Sequence, residues 1–385
     1  MLNFIYHNPV RVIFGKNTIP QISDLIPTNA KIMMTYGGGS IKKNGVYEQV
    51  KEALGNKTLI EFGGIEANPV YETLMKAVEI GKREGVDFLL AVGGGSVLDG
   101  TKFIAAAMCF KGEDPWRIIS EKLIIDGAIP LGAILTLPAT GSEMNCFAVI
   151  SRKATQEKLS FGDPSVYPVF SVLDPTTTYS LPLKQVRNGV VDAFVHVTEQ
   201  YMTVRPNSPV QDRQSEALLM TLIEEGPLTL QNPTDYNHRS NLVWAATQAL
   251  NGTIACGVPT DWATHSIGHE LTALYGIDHA ESLAIVLPAL WKHQTKQKKE
   301  KLLQYGERIW GIRNGSDDIR IKLAIDETVR FFHSLEMPTT LKDYGISAEA
   351  ASLVSQRLET RGWTKLGELG DIDPKAVEAI LKLCA

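Results

Sequence analysis

In the first half of the chain, short apolar runs alternate with stretches of helical hydrophobic spacing, and each run ends in a turn rich in Gly, Ser or Thr. Four such pairs are KIMMTY before GGGS, FLLAV before GGGS, AILTLP before ATGS, and FSVLD before PTTT. Strand, polar turn and helix in this order are typical of a parallel α/β sheet. The pattern predicts an α/β domain over residues 1–185.

The pattern changes near residue 185, after which no convincing strand follows. Four later segments have helical periodicity: NLVWAATQALNG, DWATHSIGHELTAL, SLAIVLPALWKH and RIKLAIDETVRFFHSL. Apolar positions three and four residues apart indicate helices that each bury one face. We therefore expect an all-helical domain over residues 186–385.

The N-terminal residues 3–14 are strand-like but have no obvious partner within this pattern. Open strand edges are usually paired or covered. One use of this segment is to pair across a dimer, so we expect a homodimer.

Composition excludes some classes of partner. The chain has 385 residues, of which 21% are charged, with a formal net charge of −5. The sequence pI is about 6.0. These values give no electrostatic reason to expect binding to nucleic acid or anionic lipid.

The four cysteines, at positions 109, 146, 256 and 384, are scattered, without the paired spacing of a zinc ribbon. This distribution indicates a reducing compartment. No basic segment leads into an apolar core at the N-terminus, so no signal peptide is expected. No uncharged apolar run reaches about 18 residues, so no membrane-spanning helix is expected. The combined prediction is a cytoplasmic protein.

The two GGGS turns are candidate phosphate-binding turns. Residues 93–96 follow one predicted strand and precede a helix expected to begin near Val97. Glycines at such a place let backbone amides approach a pyrophosphate, which a helix N-terminus also favours. A single Gly run is more often only a tight turn, and the G-x-G-x-x-G fingerprint is absent. Two runs together with Thr140 and Ser142 favour a Rossmann-like nucleotide-binding sheet.

A metal site is predicted from one carboxylate and several histidines. Asp192 and His196 lie four residues apart in a mostly apolar run and share one helix face. A buried, unpaired carboxylate would cost several kcal/mol, so Asp192 requires a cation. His265 and His279 follow later, and this ligand set suits zinc or ferrous iron. Spacing alone leaves His269 open as a ligand too, because it lies four residues after His265.

These motifs resemble the iron-containing (group III) alcohol dehydrogenase family. The resemblance rests on GGGSVLDGTK, LTLPATGSEMN, the Asp192–His196 pair and the His265–His279 pair, and it extends over essentially the whole chain. Further segments, including FGGIEANPVYETL, NGVVDAFVH and GHELTALYGIDHA, are similar to its butanol dehydrogenase and NADPH-dependent aldehyde reductase branch. The resemblance implies a dehydroquinate synthase-like architecture and hydride transfer between NADP(H) and a small aldehyde or primary alcohol.

The resemblance also implies roles for individual residues. It makes Asp192, His196, His265 and His279 the ligands of one divalent metal. His269 then lies near the nicotinamide and substrate without binding metal, either donating a proton or only hydrogen-bonding the cofactor. Asp99, Thr136, Thr140, Ser142 and Lys158 match positions near the diphosphate, nicotinamide or ribose, although Lys158 could be a solvated charge on a hairpin.

The turn after KIMMTY bears on the choice of cofactor. NAD enzymes of this layout carry an acidic residue there, which binds the ribose hydroxyls and repels a 2′-phosphate. This chain has Gly38 within a Gly run instead. Ser40 can donate a hydrogen bond and Lys42 or Lys43 can add positive charge, with Lys43 favoured as the contact, so NADP(H) is expected. The predicted cofactor-binding residues are Gly37, Gly38, Gly39, Ser40, Lys43, Gly94, Gly95, Ser96, Asp99, Thr136, Thr140, Ser142 and Lys158.

Other functions remain open at this point. A polyol dehydrogenase or a dehydroquinate synthase-like enzyme would share the architecture. The helices NGVVDAFVHVTEQ and SIGHELTAL lack the basic cluster that a phosphorylated, carboxylated substrate needs, which disfavours the synthase. A non-catalytic nucleotide-binding sensor would not need an Asp beside three His. The physiological substrate and the native metal are not determined by the sequence.

Overall fold

The protein is described by a computed structural model covering residues 1–204 and 207–385. The chain divides into two compact units. The sheet unit contains His7–Pro182 and Pro233–Thr247, and the helical unit contains Met1–Tyr6, Leu183–Asn232 and Gln248–Ala385. The predicted ranges 1–185 and 186–385 differ from these units in residues 1–6, 183–185 and 233–247, because local patterning does not reveal with which unit such segments pack.

The strands are β1 (Arg11–Phe14), β2 (Lys31–Tyr36), β3 (Thr58–Phe62), β4 (Phe88–Gly94), β5 (Leu131–Leu137), β6 (Phe147–Arg152), β7 (Glu157–Gly162) and β8 (Phe170–Leu173). The helices are α1 (Ile22–Leu25), α2 (Val46–Leu54), α3 (Tyr71–Glu84), α4 (Gly95–Cys109), α5 (Arg117–Ser120), α6 (Leu183–Tyr201), α7 (Pro209–Gln231), α8 (Tyr236–Ala249), α9 (Ala263–Tyr275), α10 (His279–His293), α11 (Lys299–Trp310), α12 (Asp317–Ser334), α13 (Ala350–Thr360) and α14 (Pro374–Lys382).

Six parallel strands form the main sheet, in the order β1-β8-β5-β4-β2-β3. The four run-and-turn pairs noted above correspond to β2, β4, β5 and β8, so the prediction of a parallel sheet is confirmed. The central strand β4 is buried almost throughout, since its residues are nearly all apolar. Ile32, Leu90 and Val172 from three strands share one core cluster with α2.

Three local predictions required correction. Arg11–Phe14 is not without a partner, because it pairs in parallel with Phe170–Leu173 at the sheet edge. Helix α4 begins at Gly95 rather than near Val97, directly after β4. The edge strand β3 was not predicted, since TLIEF mixes exposed polar and half-buried positions.

The helical unit confirms the all-helical prediction. Over the described ranges, helices α6, α7 and α9–α14 make up most of its secondary structure, with a short 3-10 helix at Lys342–Tyr344 and one isolated bridge between Leu366 and Ile372. Helix α6 is buried over nearly its whole second half, which suits its apolar sequence. None of the helices in residues 1–204 and 207–385 is long and apolar enough to span a membrane.

Candidate active site

Three helices bring the predicted metal ligands together. Asp192 and His196 lie one turn apart on α6, His265 lies in the first turn of α9, and His279 is the first residue of α10. Asp192 Oδ1 lies 3.6 Å from His196 Nε2, 3.9 Å from His265 Nε2 and 3.6 Å from His279 Nε2. Three imidazole nitrogens thus converge on one carboxylate oxygen that is nearly inaccessible to solvent.

This geometry fits a divalent cation. Donor atoms about 2.0–2.2 Å from one tetrahedral ion lie roughly 3.3–3.6 Å from one another, close to the separations seen here. The ligand atoms of Asp192, His265 and His279 all lie within 4.8 Å of each other. His196 is outside that set but reaches the same carboxylate oxygen. Within the described residues, His265 Nε2 is buried without a hydrogen bond, as expected of an atom that binds metal.

Glu199 is a buried carboxylate that the sequence analysis missed. It lies one turn after His196 on α6, and its Oε2 contacts His265 Nδ1. Burial lowers the pKa of His265, but the negative charges of Glu199 and Asp192 outweigh this effect and raise it to about 9. The site therefore carries an excess of negative charge that a proton or a cation can neutralise. The spacing of seven residues from Asp192, two helical turns, was the available signal.

His269 lies beside the cluster, one turn after His265 on α9. Its ring centroid is 5.1 Å from that of His279 and 6.2 Å from that of His265. The neighbouring Glu270 is buried and pairs with Arg357 at 2.7 Å and with Arg361, which ties α9 to α13. His269 is thus held next to the ligand atoms while remaining outside the closest set.

Trp262 precedes α9 and packs on two of the ligands. Its ring centroid is 5.3 Å from that of His265 and 6.2 Å from that of His196. Its backbone is left-handed, with φ of 65°, which is rare for a bulky side chain. Such strain persists only where surrounding contacts hold it, and it is concentrated at functional sites.

The candidate nucleotide turns lie in the sheet unit. Residues 37–40 follow β2, residues 93–96 span the end of β4 and the start of α4, and residues 140–142 lie shortly after β5. These three strands are adjacent and parallel, so the three segments lie at the same carboxyl edge of the sheet. The chain passes from β2 outward to β3 and then returns to β4 on the other side of β2. Ligands of open α/β sheets bind at such a switch in strand order.

Two of the glycines in the second turn are needed for packing. A Cβ added to Gly94 would lie 2.8 Å from Leu137 Cβ, and one added to Gly95 would lie 2.5 Å from Thr140 Oγ1. By contrast, a Cβ at Gly38 would meet nothing within 4 Å. The turn after β4 therefore requires glycine, whereas Gly38 leaves open space beside the backbone.

Asp99 and Lys102 bind the segment after β5 to α4. Asp99 accepts hydrogen bonds from Ser142 Oγ at 2.7 Å and from Val149 N at 2.9 Å. Lys102 Nζ donates to Ser142 Oγ at 2.8 Å and to Asn145 Oδ1 at 3.1 Å. Burial lowers the pKa of Lys102 to about 8, although Asp99 opposes this shift. Both oxygens of Asp99 thus have protein donors, and sequence analysis missed Lys102.

The remaining predicted contacts differ in accessibility. Thr136 and Lys158 are buried, and Thr140 Oγ1 accepts from Ser142 N at 3.1 Å. The alternative interpretation of Lys158 as a solvated hairpin charge is wrong, because its exposed fraction is 5%. Ser96 Oγ accepts from Asn68 N at 3.3 Å.

In the first turn, Lys42 pairs with Glu61 at 3.4 Å and lies over the rings of Tyr36 and Tyr47. Lys43 and Ser40 are exposed at the same turn. Since Lys42 is already engaged, Lys43 is the cation available there.

Comparison with known proteins shows which protein family this chain resembles. Residues 9–175 match the family model described as iron-containing alcohol dehydrogenase, and residues 187–382 match the C-terminal model of the Fe-containing alcohol dehydrogenase family. NADPH-dependent aldehyde reductase YqhD of Escherichia coli (strain K12) is 56% identical over 374 residues, or 97% of each chain. NADP-dependent alcohol dehydrogenase 3 of Entamoeba histolytica is 44% identical over 99% of this chain and 98% of its own.

Solved structures agree with these matches. The NADH-dependent butanol dehydrogenase A from Thermotoga maritima is 36% identical, with a TM-score of 0.95 over 100% of this chain and 99% of its own. Two family models together cover most of the chain, and full-length relatives exceed 30% identity. This chain belongs to the iron-containing alcohol dehydrogenase family.

Proposed function

We propose that this protein is a metal-dependent, NADP(H)-linked oxidoreductase that interconverts small aldehydes and primary alcohols. The observation that carries the proposal is the convergence of three imidazoles on one buried oxygen of Asp192. The E. coli relative is named an NADPH-dependent aldehyde reductase, and other relatives are named alcohol or butanol dehydrogenases. The name of the E. coli relative corresponds to reduction of an aldehyde, and the dehydrogenase names correspond to oxidation of an alcohol. Both directions would use the same site.

The residues of the helical unit have distinct proposed roles. Asp192, His196, His265 and His279 hold one divalent cation through a carboxylate oxygen and three Nε2 atoms. When bound, the cation supplies Lewis-acid polarisation of the carbonyl oxygen and NADPH supplies the hydride. His269 lies beside this set, where its imidazole would supply the proton that the substrate oxygen takes up on reduction. Trp262 covers one side of the ligand imidazoles and keeps water from them.

Cofactor preference is proposed from the first glycine turn. Relatives with NADPH, NADP and NADH in their names all match this chain, so family membership leaves the choice open. The turn at residues 37–39 carries no carboxylate to repel a 2′-phosphate, and Lys43 and Ser40 are exposed beside it. This arrangement supports NADP(H), bound by residues 37–40 and 43 at one end and by residues 94–96 and the Thr140 turn at the other.

The native metal is proposed to be iron or zinc, since one carboxylate and three imidazoles suit both. The test of function follows NADPH absorbance with butanal, before and after metal removal, and after addition of each metal. We expect consumption of NADPH that chelation abolishes and that Fe²⁺ or Zn²⁺ restores. Tight NADPH binding without turnover on any aldehyde would support a sensor, and turnover of a phosphorylated carboxylic acid without net redox change would support a synthase-like enzyme.

We also propose a cytoplasmic homodimer. The four cysteines are free, as in proteins of reducing compartments. The arm of residues 1–6 exposes several apolar side chains, among them Ile5, which is 98% exposed. Burial of such residues against a second copy would stabilise a dimer. Light scattering at micromolar concentration should give about twice the mass of 42.3 kDa, and a mass of one chain would contradict the dimer.

A further inference from the structure

Glu199 contacts α9 at two adjacent positions. Its Oε2 contacts His265 Nδ1, and its Oε1 accepts a hydrogen bond from Thr264 N at 2.6 Å. Only 3% of Glu199 is exposed, so these contacts are shielded from water. One buried carboxylate thus binds both a candidate ligand and the backbone at the start of its helix.

The backbone of Glu199 also holds the turn that precedes this helix. Its carbonyl accepts from Asp261 N at 2.9 Å, on the other side of Trp262. Asp261 in turn pairs with the buried Lys298 at 2.6 Å and accepts from Ala263 N at 2.9 Å. Contacts on both sides therefore hold Trp262 in its left-handed conformation, with its ring against the imidazoles.

The contact with Glu199 also determines the hydrogen-bonding state of His265. A carboxylate can only accept, so it favours the imidazole form that carries its proton on Nδ1. The lone pair of Nε2 is then directed toward Asp192 Oδ1, 3.9 Å away. Partners of this kind orient metal-binding histidines and increase their basicity.

We propose that Glu199 is a positioning residue for the metal centre, which fixes the orientation and tautomer of His265 and holds the Trp262 turn against the site. This inference rests on the proposed metal site and assigns to it a residue outside the ligand set. Glu199 acts through its contact with His265.

The variant Glu199→Gln isolates this role. Its amide oxygen can still accept from Thr264 N, but its amide group then donates toward His265 Nδ1. That contact favours the tautomer with a proton on Nε2, which cannot bind metal through Nε2, the proposed ligand atom. Loss of such a partner weakens metal binding by about 10- to 100-fold.

The matched control is Glu270→Gln. Glu270 is a buried carboxylate on α9, the helix that carries His265, but it binds Arg357 and Arg361 rather than a candidate ligand. The experiment titrates Co²⁺ into metal-stripped, full-length protein in competition with a chelator. It compares the wild type, both Gln variants and Asp192→Ala, and it records the melting temperature of each metal-free protein.

The expected result is a loss of Co²⁺ affinity of at least about tenfold in Glu199→Gln, with a changed cobalt absorption spectrum and a melting temperature no lower than that of Glu270→Gln. Wild-type affinity in Glu199→Gln, with binding lost in Asp192→Ala, would overturn the inference and leave the proposed site intact. An equal loss in Glu270→Gln would also overturn it, since the effect would then be general loosening of α9. A wild type whose Co²⁺ binding does not depend on Asp192 would contradict the proposed function itself.

Discussion

The glycine turns of the sheet unit and the histidine cluster of the helical unit differ in what forms them: backbone of consecutive residues in the turns, and side chains from separate helices in the cluster. Residues 93–95 are glycines, and their lack of side chains lets α4 begin at the end of β4 and pack against Thr140. The metal cluster acts through side chains from α6, α9 and α10 that converge on Asp192. A turn of the first kind is a property of a few consecutive residues, whereas a cluster of the second kind exists only after helices pack.

The largest expected effect is at the cluster. Asp192→Ala and His265→Ala should lose the bound metal, because each removes one donor and leaves the other buried groups unpaired. Loss of Lewis-acid stabilisation worth about 5 kcal/mol or more corresponds to a drop in kcat of roughly 10⁴-fold. Elemental analysis together with NADPH-coupled assays checks this, and full metal content in both variants would refute the ligand assignment.

A smaller effect is expected at His269, which separates proton delivery from metal binding. His269→Ala should retain its metal and lose about 10²-fold in turnover, the lower range for loss of a general acid. Metal analysis and steady-state kinetics on the same preparation give both values. If the metal is lost as well, His265 and His269 act together as ligands and the assignment of His279 requires revision.

The backbone role of the second turn is tested by Gly95→Ala. The added Cβ would lie 2.5 Å from Thr140 Oγ1, so α4 and the segment after β5 must separate. Overpacking of this kind costs about 2 kcal/mol of folding stability. Displacement of the backbone amides should also weaken NADPH binding by roughly tenfold, the value of one lost hydrogen bond. NADPH affinity is measured by fluorescence titration, and the melting temperature of each protein is recorded beside it. Unchanged affinity in Gly95→Ala would contradict this account of the turn.

The smallest expected effect concerns cofactor choice at the first turn. The wild type should prefer NADPH to NADH by at least about tenfold in kcat/KM, the value of one charged hydrogen bond to the 2′-phosphate. Gly38→Asp should reverse much of this preference, because a carboxylate there repels the phosphate and the open space accommodates it. Equal kcat/KM values for the two cofactors in the wild type would contradict the prediction.

The sequence predictions were correct for features formed by consecutive residues and missed contacts between distant segments. The run-and-turn pattern predicted β2, β4, β5 and β8 correctly, since a parallel strand and its turn are encoded contiguously. The partner of β1 was not predicted, because Arg11–Phe14 pairs with Phe170–Leu173 across most of the unit. Lys102 and Glu199 were missed for the same reason: their partners are 40 and 66 residues away in the chain.

The amino-acid sequence by itself determined the parallel sheet, the helical second half and the glycine turns, because hydrophobic period and turn chemistry act over a few neighbouring residues. It also supplied the candidate metal ligands, which remain a prediction. Only the tertiary structure decided that the three imidazoles converge on Asp192 Oδ1. It also decided that both carboxylate oxygens of Asp99 accept hydrogen bonds, from Ser142 and Val149, and that Glu199 contacts His265. These contacts join segments far apart in the chain. Their geometry is set by how the elements pack, and local patterning does not encode that packing.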